Sequence, residues 1–326
     1  MSLPPKPKAT PKATEDRLDQ IRKDAGGNPA APPKGQSYYN LPVLKPPVWT
    51  WEVPLYFFLG GIAGVSACIG FVALVFHADP ALMRLCFWIG LIGASICPML
   101  LIADLGRPAR FLNMLRVFKL HSTMSMGVWI LVAFSGCIFL AVLGIELVVR
   151  GYANFFSSSL LWIGGSSGAV TGLLLASYTG VLIGATAIPV WSENRTLLPA
   201  HFLTSGLGGA AATLELAGFL IPVTHSLGLA ASGIETLIDI FLEARKRPVD
   251  APLHHGWSGR ALRIAGLLEG PAALLVRVFW GSTHTGRYAA AIFFLAGSLL
   301  SRYAWLWAGR ASAHDPHALF QIQRKR

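Results

Sequence analysis

From about residue 53 onward, long apolar runs alternate with short segments that collect the Gly, Pro, Lys and Arg residues. The runs fall at 53–76, 83–103, 124–149, 159–190, 198–223, 226–243 and 287–308, with a weaker one at 261–280. A run of about 20 apolar residues is a helix long enough to cross a hydrocarbon core roughly 30 Å thick. The pattern therefore predicts an all-α fold, a polytopic transmembrane helical bundle of about eight spans. The fourth run is long enough to be tilted or to include an interfacial turn. The run at 261–280 carries Arg263, Glu269, Arg277 and Pro271. It reads either as a span or as an amphipathic helix lying on the surface. Gly60, Gly64 and Gly70 in the first run, and Gly164, Gly168 and Gly172 in the fourth, mark faces where helix backbones can approach closely.

The flanks differ. Residues 1–46 are rich in Pro, Lys, Gly and Ala and have few large apolar side chains, the composition of a disordered tail. Within it, Thr14–Lys23 could form a short helix. Residues 47–309 form the membrane domain, and 310–326 a basic C-terminal tail. The start shows neither a compact signal segment nor a twin-arginine pair, so the first span is expected to direct insertion. Only 13% of the 326 residues are charged and 53% are hydrophobic, where a soluble domain carries roughly 25% charged residues. The net charge of +11 is assigned to loops facing anionic lipid rather than to nucleic acid.

Lys and Arg are distributed unevenly between the two sides. Arg107, Arg110, Arg116, Lys119, Arg195, Arg245, Lys246, Arg247, Arg260, Arg263, Arg310, Arg324, Lys325 and Arg326 share the side of the basic N-terminal tail. The opposite side has Arg84, Arg150 and Arg287, with Arg277 nearby. The positive-inside rule then places both termini in the cytoplasm.

Several chemistries lack their residues. Cys68, Cys86, Cys97 and Cys137 lie singly inside apolar runs with no CxxC spacing, which argues against an iron–sulfur cluster or zinc site. Of nine histidines, His201 is the one placed within a span, so a bis-histidine haem is disfavoured. No phosphate-binding loop or nucleophile elbow is present. What stands out is ionisable groups in or beside spans. A charge there costs at least ~2.5–3.5 kcal/mol on insertion scales, so such groups usually face the protein interior. Glu146 and Glu243 sit near span ends within reach of water, whereas Glu215 is deep in the fifth span. Glu235, Asp239 and Glu243 follow at intervals of four, on one helix face. Three like charges repel, so the file needs a bound proton or a partner such as Arg302 or Arg277. With Glu215 it forms a candidate proton path. An acidic, solvated helix end followed by Arg245–Arg247 is the plainer reading.

At the end of the second span the sequence reads LIADLGRPARF, residues 101–111. Gly106 can take a left-handed turn and Pro108 cannot continue a helix, which suits a stop. Sterics do not ask for Asp104 or Arg107, whose spacing of three lets them pair at the interface.

This element, LLIADLGRPARFLNML at 100–115, is followed by STMSMGVW at 122–129 and preceded by WTWEVPLYFFLGGIAGVSA at 49–67. With SYTGVLIGATAIPVW at 177–191 and GSLLSRYAWLWAG at 297–309, it resembles the NrfD/PsrC family of quinone-interacting membrane subunits. The resemblance implies a helical bundle that holds no haem or cluster of its own. It implies an anchor for an iron–sulfur (ferredoxin-like) subunit and a molybdopterin oxidoreductase subunit. It also implies exchange of electrons with menaquinone or ubiquinone in a bacterial inner membrane. Tyr178 matches a tyrosine position associated with the quinone site, and Asp104 and Arg107 match the family loop. Where some relatives supply polar or His residues on the first helix, this protein has Glu52 and Tyr56, and His201 is a candidate for the missing imidazole. In several relatives the partner subunits lie outside the cytoplasm, whereas the charge count puts the Asp104 loop inside. An ion- or proton-coupled transporter and a purely structural membrane anchor are the competing functions.

Overall fold

The computed structural model describes residues 44, 47–105, 110–116 and 118–314. The expected tails, apart from Leu44 and residues 310–314, lie outside the described residues, as does Arg107. The described protein is built of helices: α1 (Glu52–Val75), α2 (Pro80–Asp104), α3 (Thr123–Val149), α4 (Phe155–Gly184), α5 (Leu197–Leu216), α6 (Pro222–Ala244), α7 (Gly256–Leu267), α8 (Ala273–Trp280) and α9 (His284–Ala313), joined by shorter turns. No strand is present among the described residues.

Local chemistry starts several of these helices. Asp79 accepts the Ala81 N–H at 2.8 Å with Pro80 at the first helical position of α2. Asn154 and Ser157 form a reciprocal capping box on α4, at 2.9 and 3.0 Å. Thr283 caps α9 by accepting the Gly286 N–H at 3.0 Å. Between α5 and α6 the turn needs a left-handed residue, supplied by Gly218 at φ 97°, before Pro222 restarts the helix. This turn explains why the expected span 198–223 ends early, at Leu216. The expected run 159–190 likewise stops at Gly184, and Pro189–Ser192 forms a separate helical turn.

Helices α1 to α4 pack as one antiparallel group, and α5, α6, α7–α8 and α9 as a second, joined mainly through α1 and α4 against α5. Where α1 crosses α4, Gly64 meets Gly172. A Cβ on Gly172 would sit 3.0 Å from the Gly64 Cα, and the reciprocal one 3.2 Å from the Gly172 Cα. Only glycine allows this approach.

Side-chain contacts fix which ends lie together. At one end, called proximal here, Trp49 stacks on Trp191 at 5.6 Å, the Trp191 indole donates to the Trp305 carbonyl at 2.9 Å, and the Tyr303 hydroxyl donates to the Trp51 carbonyl at 2.9 Å. The start of α1 and the end of α9 therefore share that end. At the distal end, Arg84 of α2 and Trp88 hold Glu146 near the end of α3, at 3.0 and 2.8 Å. Glu146, expected to reach water, is ion-paired.

Among the described residues five helices, α1 to α4 and α9, are long and apolar enough to cross a membrane. α5 and α6 run between the same two ends. α6 finishes proximally and α9 starts distally, so the segment between them must traverse the bundle. It does so as α7 and α8, about 37 Å of helix at 1.5 Å per residue, joined by a π-turn at Leu268–Ala272. There Gly270 leaves helical geometry (φ −93°, ψ −106°) and Pro271 offers no N–H. Glu269 and Arg277 are buried while Arg260 and Arg263 near its proximal start are exposed, so the distal part of this segment faces its charged residues inward, unlike a surface-lying amphipathic helix.

Gly172→Leu should wedge α1 from α4 and destabilise the bundle by about 1–3 kcal/mol or more. A lowered thermal midpoint of the detergent-solubilised protein would show this, and an unchanged midpoint would remove the Gly64–Gly172 contact from the packing account.

Candidate functional site

The predicted residues separate into three places. The first is the proximal end of the α1–α4 group. Asp104, at the last turn of α2, accepts the Thr50 N–H at 3.2 Å and the Thr50 hydroxyl at 2.9 Å. The same hydroxyl lies against the Glu52 carboxylate. Its one proton serves one carboxylate at a time. Asp104 thus ties the end of α2 to the start of α1, and its expected partner Arg107 lies outside the described residues. One turn inward, Tyr56 is buried, with its ring against Phe57 and its carbonyl facing the Cys97 thiol at 3.9 Å. Tyr178 is also buried, and its hydroxyl donates to the carbonyl of Thr123 at the start of α3. Gly127, one turn into α3, leaves room for that ring; a Cβ there would occupy it. A polar cavity of about 770 Å³ opens beside this region, lined by Val181, Gly184, Thr186, Glu193 and Arg195.

The second place is the middle of the α5–α9 group. His201 Nδ1 lies 2.6 Å from a Glu235 oxygen, and its Nε2 lies 2.9 Å from the Ser301 hydroxyl. Glu269 accepts from Ser205 at 3.1 Å, and Ser205 meets Ser298 at 2.6 Å. Arg302 stacks over the Phe202 ring at 3.7 Å and donates to the Phe202 carbonyl at 3.0 Å. His201, Glu235 and Glu269 are all buried, with one donor atom of each within 4.8 Å of the others. The structure therefore brings His201 to the carboxylates of α6 and the π-turn rather than to the tyrosines. Asp239 follows one turn along α6. It lines a cavity of about 360 Å³ between α6 and α7, together with Glu243, His254 and Arg263. Glu243 is exposed and lies 3.4 Å from His254.

The third place is distal. Glu215 accepts from Arg277 at 2.9 and 2.8 Å and from Arg287 at 3.1 and 2.9 Å. Arg287 also caps the end of the α5–α6 turn, donating to the Leu220 and Ile221 carbonyls at 2.6 and 2.8 Å. Glu215 is thus clamped away from Glu235, Asp239 and Glu243.

Sequence reasoning overlooked Ser205, Ser298 and Ser301. Ser205 lies one turn from His201, and Ser298 and Ser301 one turn from each other on the Arg302 face. That spacing is the available signal. Its weakness is that serines in apolar helices often bond the carbonyl four residues back, as Ser95, Ser135 and Ser159 do here.

A profile of the family described as "Polysulphide reductase, NrfD" matches residues 41–227, more than half of the sequence. The protein belongs to the NrfD family. The matched residues hold Asp104, Tyr56, Tyr178 and His201, whereas Glu235, Asp239, Glu269 and Arg302 lie beyond them. The C subunit of the polysulfide reductase of Wolinella succinogenes is 28% identical over 192 residues, 53% of this protein and 59% of that one. The match thus spans a little over half of that relative's length. The apolar helices and the NrfD membership together make this a multi-pass membrane protein.

Removing one partner of a buried ion pair leaves the other charge uncompensated, which costs about 3–5 kcal/mol. Glu215→Leu, which leaves Arg277 and Arg287 facing each other with no carboxylate between them, should therefore lower the thermal midpoint sharply in detergent, and more than Arg84→Leu at the half-exposed distal pair. Equal, small effects would show that the two guanidinium groups do not depend on Glu215.

Proposed function

We propose that this NrfD-family protein is the quinone-exchanging membrane subunit of a bacterial respiratory oxidoreductase complex. An iron–sulfur subunit and a molybdopterin oxidoreductase subunit are its partners. The protein sits in the inner membrane with both termini cytoplasmic, exchanging electrons with menaquinone or ubiquinone and protons with intramembrane carboxylates. The family membership and the name of the Wolinella relative support a place in a reductase complex.

The observation that carries the quinone reading is the pair of buried phenols, Tyr56 and Tyr178, at the end of the α1–α4 group that Asp104 ties together. Buried phenols combine an apolar ring for a quinone headgroup with a hydroxyl for its oxygens. Because the Tyr178 proton is directed at the Thr123 carbonyl, its oxygen is oriented to accept, which suits a reduced ring bearing O–H groups. Reduction of the quinone consumes electrons delivered by the partner and protons taken from water. Asp104 and Glu52 share the Thr50 hydroxyl at the rim and can relay those protons. Arg107, three residues after Asp104 in the sequence, is a further candidate for the quinone.

The bland alternative is a structural anchor, in which both phenols only pack helices. Tyr178→Phe separates the two. Loss of one hydrogen bond of about 1.4 kcal/mol is a tenfold change in affinity. Titration of the purified protein with a soluble menaquinone analogue, followed by tryptophan fluorescence, should show about tenfold weaker binding. Unaltered affinity in a folded variant, or no binding by the unmodified protein, would favour the anchor.

A further inference from the structure

The carboxylates of α6 do not continue into Glu215. Between the His201–Glu235–Glu269 centre and the Glu215 clamp lies an apolar layer formed by one residue from each helix: Ala231 of α6, Ala273 of α8 and Phe294 of α9 are fully buried, with Leu207 of α5 packed on them. Phe294 lies so close to Gly208 that a Cβ there would occupy its ring. Distal to that layer stand two guanidinium groups on one carboxylate. Beside this layer the Ser232 hydroxyl of α6 is buried, but no carboxylate or imidazole stands within the layer to pass its proton on, and the locally cationic site beyond repels one.

Toward the proximal end the situation is the reverse. Glu243 is exposed, His254 lies beside it, and Asp239 lines the cavity between α6 and α7. Buried polar atoms seldom lack a partner. Here Asp239 Oδ2, Glu235 Oε1 and the Nε and Nη1 of Arg302 do, along a line from the cavity to the centre; on the other side of the centre Ser232 Oγ, beside Ala231, and Arg277 Nε, in the clamp, do as well. The charged and titratable groups facing that line are His201 from α5, Glu235, Asp239 and Glu243 from α6, His254 and Arg263 beside and on α7, Glu269 from the π-turn and Arg302 from α9. Deep in it, three carboxyl groups face one guanidinium, and the surplus of negative charge calls for bound protons.

We infer that His201, Glu235 and Glu269 form a proton-holding centre loaded from the proximal side alone, through Glu243, His254 and Asp239, and sealed from the distal side by the Leu207–Ala231–Ala273–Phe294 layer and the Arg277–Glu215–Arg287 clamp. Each transfer moves one proton from an acid O–H or imidazolium N–H to the next carboxylate oxygen or imidazole nitrogen, and the outermost donor is reloaded from water. The centre stores protons on the side where the Tyr56–Tyr178 end lies and does not conduct them across. This deepens the proton part of the function proposed above and rests on that reading for its purpose, but its chemistry stands on these residues.

Two measurements on the full, unmodified protein test it. Carbodiimides add the O–H of a protonated carboxylic acid across their C=N bond, and peptide mapping locates the adduct. A water-soluble carbodiimide applied separately to membrane vesicles of each orientation should label Asp239 from the proximal face, with loss of that label from the distal face. A lipid-soluble carbodiimide should label Glu235 or Glu269 and leave Glu215 unlabelled. In proteoliposomes with a trapped pH dye, an imposed potassium diffusion potential should drive no steady proton flux above that of empty liposomes. Labelling of Asp239 from the distal face, labelling of Glu215 as readily as Glu235 and Glu269, or a steady carbodiimide-sensitive flux would each overturn the inference. A failed quinone titration with this pattern intact would sink the quinone reading alone. A normal titration with the pattern absent would sink this one.

Discussion

A bilayer gives no water to the charges that these helices carry, and the second half of the bundle is organised around that constraint. An ionised side chain in a low-dielectric interior must be matched by an opposite charge and by hydrogen bonds. Glu215 obtains both from Arg277 and Arg287, and Arg287 uses its remaining donors on the exposed carbonyls of the α5–α6 turn. Three helices and a turn are thereby locked in register by one carboxylate. A wholly apolar replacement of the same volume could be as stable, so the clamp is better understood as fixing which residues face one another than as a large net source of stability.

The first half meets a different demand. Its helices are apolar, and in lipid apolar surfaces gain little from meeting each other, so close backbone approach takes over. Gly64 against Gly172 provides it. The two halves are then fastened at the proximal end by aromatic groups: Trp49 on Trp191, Trp191 to Trp305, and Tyr303 to the carbonyl of Trp51. The start of α1, which Asp104 also holds, is therefore anchored from both sides. A rigid α1 start matters because Glu52 and Tyr56 project from its first turns.

Length and hydropathy made α1 to α4 and α9 readable from the sequence alone, because a twenty-residue apolar run has few other uses. Reading failed where composition and geometry diverge. The span at 261–280 looked ambiguous because Glu269 and Arg277 dilute its hydropathy, yet both turn inward to partners on other helices. No local pattern reveals partners more than fifty residues away, such as Arg277 for Glu215. The four-residue spacing of Glu235, Asp239 and Glu243 was visible and does place them on one face. Their destination was not, because it depends on the π-turn at Gly270–Pro271, which brings Glu269 to the same point. His201 was recognisable as an intramembrane imidazole, but its neighbours are set by how α5 packs on α6 and α9.

The position of His201 bears on how the proposed electron and proton chemistry would be divided. It lies within the family-matched residues, as do Tyr56 and Tyr178, but its two ring nitrogens are occupied by Glu235 and Ser301, both beyond residue 227. An imidazole held at both nitrogens cannot turn toward the tyrosines without breaking two buried hydrogen bonds, each of which would leave a polar atom unsatisfied at a cost of about 1–3 kcal/mol. Its neighbour Phe202 contacts Phe57 of α1 on one side and carries Arg302 on the other. Phe57 in turn touches Tyr56. The two centres are thus separate in hydrogen bonding yet joined by a short series of packed rings. A charge arriving near Tyr56 is then felt by the carboxylates through a medium that screens it weakly, and a proton bound at His201–Glu235 can balance that charge without either group moving.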